Sequence, residues 1–396
     1  MPGVSVLDDI KVTDMTSVLF GPYCTQTLAD MGADVVKIEP KYGDVVRLIG
    51  KPANTRFMGP SHLTVNRGKR SVNWDPKTEF GKEATRRLIE QSDVFIHNIR
   101  GSAIERLNLS FEDVKSIKKD IVYVHCLGFG SDGPYAERPA FDDLIQGLSG
   151  MTSLMPRVDG NEQPRFVPMT VADKVSGLHA VYATLAALRQ RDKTGEAVCV
   201  EVPMFECTTH FLLEDVFDEA TFDPPTGPFG FKHYLDASLQ PFKTQDGWIV
   251  IAPYTDGRWV KTFEAMGAAD ELEDERLADR KARYYNSEYK HDRVRALLSK
   301  QTTAHWIEIF KKADVPAAPV NQLEELHDDP HLKATNFFQR REHPTEGGYW
   351  ETQPPVHFRD MPKKEIQPAP HIGEHTNEIL DELGLEAPPP PADEKS

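Results

Sequence analysis

Between residues 10 and 128 the chain repeats one alternation, and that alternation limits the folds open to it. A short run rich in Val and Ile is followed by a stretch of helical periodicity, then by another such run. Residues 10–16 (IKVTDMT), 34–39 (DVVKIE), 71–75 (SVNWD), 93–99 (DVFIHNI) and 121–128 (IVYVHCLG) read as strands. Residues 22–31 and 79–92 read as helices between them, the first with Pro22 at its opening position and Gly32 past its end. Ser110 and Asp113 have the spacing of a capping box that opens a further short helix. Near-continuous Val/Ile strands are buried on both faces, and strands that alternate with helices pair in parallel. The fold class expected is α/β, built on a parallel, doubly wound sheet.

A longer version of the unit spans Arg165–Val202. Val175, Leu178, Tyr182, Leu185 and Leu188 recur at near three- and four-residue spacing, which predicts the buried stripe of a long helix. Lys193-Thr194-Gly195 closes it, with a basic last turn and a Gly suited to the left-handed position. Val198, Val200 and Val202 then alternate as a strand. Asp173 therefore stands at a helix N-terminus, where unpaired N–H groups and the helix dipole favour a carboxylate by roughly 0.3–1 kcal/mol. Most Asp residues so placed only cap the helix. A carboxylate kept ionised there can also attack a thioester and form a mixed anhydride, which divides a difficult acyl transfer into easier steps. Ser176 and Gly177 are small enough to leave room for an acyl group.

After Glu206 the texture changes. Residues 207–220 read as an amphipathic helix, and a Pro-, Gly- and aromatic-rich stretch then reads as a linker into a second unit. Asp246-Gly247 is a hairpin signal, and three helices follow, over 255–267, 293–300 and 305–313. The segment VPAAPV (315–320) is expected to begin a return, residues 337–358 to run extended back to the first unit, and residues 375–385 to form a terminal helix. The tail, 386–396, is Pro-rich and charged, and is expected to be disordered.

Several chemistries are disfavoured. A formal charge of −16 argues against a nucleic-acid partner. No stretch approaches the ~18 apolar residues of a membrane span, and MPGVSVLDDI lacks the form of a secretory signal. Cys24, Cys126, Cys199 and Cys207 form no CxxC pair and read as buried hydrophobes in a reducing cytosol. Gly128-Phe129-Gly130-Ser131-Asp132-Gly133 matches the dinucleotide-binding spacing but leads into Pro134-Tyr135 and not a helix. It reads as a glycine loop beside a ligand. There is no HExxH and no GxSxG, and His371 and His375 lack a third ligand, so no metal site is expected.

Six blocks, in order, carry a resemblance: residues 10–40, NRGKRSVNWDPKTEFGKE, DVFIHNIRGSAIERL, GFGSDGPYAERPAFDDLIQGLSGM, ADKVSGLHAVYATLAALRQRDKTGE and GEHTNEILDELGL. Together they cover nearly the whole chain, which resembles the class III coenzyme A transferases, a superfamily that also holds carnitine CoA-transferases and α-methylacyl-CoA racemases. The resemblance implies a large Rossmann-like CoA-binding domain from both chain ends (1–205 and 330–385), a linker (206–224), a small domain (225–325) and an interlocked homodimer. It implies that Asp173 is the residue acylated by the donor thioester. Asn98, Ile99, Arg100 and Arg106 match positions that contact CoA. Trp74 and Lys77 match the segment along the adenosine, and Val18 falls in the loop near the thioester. Lys41 stands where the family often has Arg, as a point charge and not a bidentate fork.

Leu19 and Phe20 replace more polar residues of the formyl-CoA subgroup and imply a less polar acyl pocket, beside a substrate loop with Gly128, Gly130 and Phe141. The polyglycine lid of that subgroup is missing, which argues against formyl-CoA/oxalate specificity. The racemase branch has His where Phe141 stands, and Phe cannot exchange a proton. The function implied is transfer of CoA from an acyl-CoA donor to a small carboxylic acid, in the cytoplasm. CoA is a cosubstrate, with no tightly bound cofactor. The alternatives are an acyl-CoA racemase or epimerase, in which Asp142 and Glu137 remain as acids, and a non-catalytic CoA-binding protein.

Overall fold

The structure, a computed structural model, describes residues 5–359, 361 and 365–387. The tail expected to be disordered lies outside the described residues from 388 onward. The chain divides into two compact units. The first comprises the described parts of Met1–Thr152, Phe166–Glu214 and Asn336–Ser396, and the second comprises Ser153–Arg165 and Asp215–Thr335.

The first unit is a mixed α/β fold around a six-stranded parallel sheet of order β3-β2-β1-β4-β5-β6. In chain order it runs β1 (Lys11–Met15), α1 (Phe20–Asp30), β2 (Asp34–Glu39), α2 (Pro60–Val65), β3 (Lys69–Asn73), α3 (Glu79–Glu90), β4 (Val94–His97), α4 (Gly101–Arg106), α5 (Phe111–Ile117), β5 (Val122–Leu127) and α6 (Asp142–Leu148). The short α7 (Leu154–Asp159) belongs to the second unit. The first then resumes with α8 (Val171–Thr194), β6 (Val198–Pro203) and α9 (Met204–Val216), whose last two residues already count with the second unit. The expected capping box is present: Asp113 N–H donates to Ser110, and Ser110 N–H donates to the Asp113 carboxylate.

Alternate residues of the central strands feed two cores, one on each face of the sheet. Val12, Val94, Ile96 and Val124 pack with Phe20, Cys24 and Leu28 of α1 and with Ala180 and Leu188 of α8. Phe95, Val36, Ile38 and Tyr123 pack on the other face with Leu88 and Ile89 of α3 and Val114 of α5. Cys24 and Cys126 are buried as expected, whereas Cys199 faces outward on the edge strand β6.

The long helix departs from its expected form in two ways. Most of its buried residues are small (Ala172, Ser176, Gly177, Ala180, Thr184, Ala187); of the expected stripe Leu188 is buried, Val175 and Leu185 are half-buried, and Leu178 and Tyr182 are 51% and 60% exposed. A Cβ on Gly177 would lie 3.0 Å from the Phe20 carbonyl oxygen and 2.9 Å from the Tyr23 ring. Gly177 thus lets α8 approach α1 and leaves no acyl-sized space. The N-cap is Thr170, so Asp173 sits within the first turn and does not cap the helix.

The second unit holds a three-stranded antiparallel sheet, with α10 (Lys232–Leu235), β7 (Phe242–Lys243), β8 (Trp248–Ile251), α11 (Asp256–Ala265), α12 (Arg280–Tyr285), α13 (Ser287–Leu298), α14 (Thr303–Lys312), β9 (Ala317–Pro319) and α15 (Pro330–Ala334). Asp246-Gly247 does turn a hairpin, β7 to β8. The segment expected to begin the return instead supplies β9, which pairs with β8 through Ile249↔Pro319 and Ile251↔Ala317. The core is Phe242, Ile249, Phe263, Val294, Leu298 and Phe310.

The chain re-enters the first unit as a hairpin of β10 (Phe338–His343) and β11 (Gly347–Thr352). Asn54 and Thr55 donate backbone N–H bonds to the Glu346 carboxylate beside it. The terminal helix α16 (Thr376–Glu382) lays Ile379 and Leu380 on the second core.

Candidate active site

In an open parallel sheet, ligands bind beyond the carboxyl ends of the strands where the strand order reverses. Here β1 is flanked by β2 and β4, so the reversal lies between β1 and β4. The loops leaving those two strands are stitched together. Ser17 N–H donates to Asn98 Oδ1 at 2.9 Å, and Asn98 Nδ2 donates to the Ser17 carbonyl at 2.9 Å. Val18 follows with φ +67°, a left-handed conformation that is a strong outlier for a β-branched residue. Its N–H donates to Asp44 Oδ1 at 3.0 Å.

Asp44 is held by buried charges. Lys37 Nζ lies 3.0 Å from its carboxylate and also donates to the Thr16 carbonyl at 2.6 Å. Asp14 accepts from Thr16 and Thr25 and pairs with Lys69 at 3.3 Å. Burial alone would raise the Asp14 carboxyl, but Lys69 and Lys37 hold it below its ordinary value. Glu39 behaves likewise: burial opposes its charge, yet the Arg47 guanidinium, bonded through Nε at 2.7 Å, holds it at about 2. These pairs fix the Val18 loop from beneath.

Asp173 occupies the first turn of α8 and is 8% exposed. Its backbone N–H donates to Asp142 Oδ2 at 3.0 Å. Asp142 Oδ1 accepts from Gln146 Nε2 at 2.5 Å, and Gln146 Oε1 accepts the Val167 N–H at 2.9 Å. The α6 side chains Asp142 and Gln146 thereby pin the extended segment that delivers Asp173. Among the described residues the Asp173 carboxylate itself accepts no hydrogen bond. Burial, and next the negative charge of Asp142, push it up to about 7, with Lys174 offsetting only part. The expectation that the helix dipole keeps this carboxylate ionised is therefore corrected: desolvation and a like charge outweigh it.

The glycine loop lies against the same elements. A Cβ on Gly128 would meet Ala140 Cβ at 2.3 Å, so the loop after β5 touches the residue before Phe141. Gly130 N–H donates to Glu206 Oε1 at 2.9 Å. Phe141 precedes α6 and is 62% exposed. Gly128 thus touches the residue two before Asp142, which in turn holds the Asp173 backbone, while Gly130 is tied to α9.

The remaining candidates divide. Lys41, Lys77, Arg100 and Arg106 are exposed on segments after β2, β3 and β4, and Lys41 Nζ lies 5.8 Å from the Tyr42 ring. Leu19 and Ile99 are half-buried. Phe20 is buried in the first core, and Trp74 is buried in the second with its Nε1 donating to Thr85 at 3.0 Å. Neither ring faces an open loop. As anchors of these loops, Asp142, Gln146 and Asp44 leave no local signal in the sequence. Their partners are 31, 21 and 26 positions away, beyond any local pattern. His371 Nε2 meets Thr345 Oγ1 and His375 Nδ1 accepts the Ser71 N–H, so these two side chains have separate partners.

A family profile described as CoA-transferase family III matches residues 7–376. A succinate–glutarate CoA-transferase of Agrobacterium fabrum is 31% identical over 389 residues, 95% of each chain. A succinyl-CoA:mesaconate CoA-transferase of Haloarcula marismortui is 30% identical over 394 residues, covering 97% of this chain and 98% of that one. Among solved structures, a CaiB/BaiF family protein from Brucella suis superposes with a TM-score of 0.82 at 30% identity, covering 96% of this chain and 99% of that one.

Proposed function

We propose that this chain, which belongs to CoA-transferase family III, moves CoA from an acyl-CoA donor to a carboxylic acid through Asp173. The observation that carries the reading is the Asp173 carboxylate: buried, free of hydrogen-bond donors among the described residues, and pushed up to about 7. A carboxylate not quenched by protein donors keeps the basicity that nucleophilic attack needs.

In the proposed sequence, an Asp173 oxygen attacks the thioester carbonyl, the C–S bond breaks, and CoA leaves as thiolate. The thiolate attacks the aspartyl carbonyl of the anhydride and releases the donor acid as carboxylate. The acceptor carboxylate then attacks the aspartyl-CoA thioester and expels the thiolate once more. Attack of the thiolate on the acceptor side of this second anhydride yields the new acyl-CoA and restores Asp173. Each step exchanges one carboxylate for one thiolate, so charge balances. Lys41, Lys77, Arg100 and Arg106 are the proposed phosphate and pantetheine contacts. Asn98 and the strained Val18 are proposed to shape the backbone beside the thioester.

The names of the two relatives favour C4–C5 dicarboxylic acids as the donor and acceptor class. The test is incubation with succinyl-CoA, quenching with hydroxylamine or borohydride, and mass mapping of the modified residue, beside a donor-by-acceptor screen of CoA thioesters. Labelling is expected at Asp173. Labelling elsewhere, or full turnover by Asp173→Ala, overturns the proposal. A racemase would instead exchange the α-proton of a branched acyl-CoA with deuterium without an acceptor. Both oxygens of Asp142 are already engaged as acceptors, which disfavours it as the second base.

We further propose that two copies associate. The exposed Leu178 and Tyr182 of α8 and Phe211 of α9 support an apolar contact with a second copy.

A further inference from the structure

The second unit holds a half-open cavity of about 400 Å³, lined by its own residues alone. That size lies in the range of sites for small organic ligands. Its walls are aromatic: Trp259 on one side, Tyr254 and Tyr284, both more than half exposed, at the opening. Its charged groups are three cations and one carboxylate. Arg283 is buried and already committed, donating to the Asp256 carboxylate and to the Leu277 carbonyl. Its Nε remains buried with no hydrogen-bond partner. Arg280 is exposed at the cavity and has no carboxylate within 4 Å among the described residues.

Lys290 is the unusual member. It is 9% exposed, and among the described residues its ammonium makes no hydrogen bond and no ion pair. Its neighbour is the Trp259 ring, 4.6 Å from Nζ to the centroid. A cation over an aromatic face gains less than burying an ammonium costs. Burial lowers Lys290 to about 8, with Asp236 opposing. It stays mostly protonated at neutral pH. His291, which bonds Ser238 at 2.7 Å, is lowered by burial to about 4 and adds no charge there. With Asp256 paired to Arg283, the cavity is left with Lys290, which feels the Asp236 carboxylate without an ion pair within 4 Å among the described residues, and with Arg280 exposed beside it.

We propose that this cavity binds a small organic monocarboxylate with a flat apolar body, its carboxylate on Lys290 and its body against Trp259 and Tyr284. One uncommitted buried cation suits a single negative charge, and the aromatic walls suit an aryl or similarly flat group. The site is independent of the Asp173 chemistry and supplies the chain with a second ligand class.

The test is calorimetric titration of the full chain at pH 7 with phenylacetate, phenylacetamide, succinate and adenosine monophosphate. Phenylacetate is expected to bind, with the neutral amide and the non-aromatic succinate weaker by about tenfold or more, as loss of a charge-assisted bond implies. Lys290→Met should weaken phenylacetate by about tenfold, and Arg280→Gln, at the exposed rim, by about two- to fivefold. Because Arg280 is exposed, that variant keeps the question open to measurement even if Lys290→Met misfolds. Equal binding of acid and amide, unchanged affinity in both variants, or preference for adenosine monophosphate overturns the assignment. Loss of CoA transfer in Asp173→Ala leaves it intact.

Discussion

Asp173 and Asp142 share one hydrogen bond and one electrostatic problem, and both can be read in solution. The folded chain keeps the Asp173 proton to about pH 7, whereas an ordinary Asp releases it near 3.8. Between these values the folded state binds more protons than the unfolded one, so this residue lowers stability as pH rises through the window. Asn does not titrate. The stability advantage of Asp173→Asn, measured by denaturant unfolding, should therefore grow between about pH 4 and pH 7 and level off above, reaching on the order of 4 kcal/mol. A difference that is flat with pH would contradict the perturbed carboxyl. In the wild-type chain, single-turnover acylation should rise with pH to a plateau, with a midpoint near 7. Asp142→Asn, which deletes the like charge, should lower that midpoint by about half a unit or more. Asp173 was legible in the sequence because its surroundings match a family pattern. Its protonation was not, since the dominant causes are burial and a residue 31 positions away.

Among elements, the loop from β1 into α1 carries the most constraint. Val18 is held at φ +67° by Asp44 from below and, one residue earlier, by Asn98 from the side. Val18→Gly should remove ~1 kcal/mol of strain and raise the melting temperature, while a looser loop raises KM for acyl-CoA. An unchanged KM would show that the strain serves no binding purpose. Asn98→Ala, which cuts the stitch between the two switch strands, should destabilise by ~1–2 kcal/mol and raise KM as well. Most strands and helices were readable, because Val/Ile runs and capping residues act locally. The face of α8 was not. Periodicity counts large apolar side chains, but where this helix packs closely it buries Ser176, Gly177 and Ala180 and turns Leu178 and Tyr182 outward, keeping only Leu188 of the large stripe fully inside. The segment 315–320 was misread for a related reason: its Pro and Ala residues suit a short edge strand as well as a connector, and only pairing with β8 decides.

For the whole molecule, the exposed apolar groups on α8 and α9 make a prediction about assembly. Tyr182→Asp with Leu178→Asp should halve the mass measured by light scattering while leaving the circular dichroism of the fold unchanged. A wild-type chain already monomeric at micromolar concentration would remove the proposed second copy. The first unit is assembled from both ends of the described sequence, with α16 closing the face built on Phe95, Val36 and Tyr123. That closure has a consequence during synthesis. The sheet is complete once β6 has left the ribosome, but Ile379, Leu380 and Leu383 emerge roughly 180 residues later, on the order of 10–40 s at ordinary elongation rates. Throughout that interval one side of a parallel sheet stands partly uncovered while the middle segment is still being made. Nascent chains of this protein should therefore be clients of ribosome-associated chaperones, and release from them should coincide with the arrival of α16.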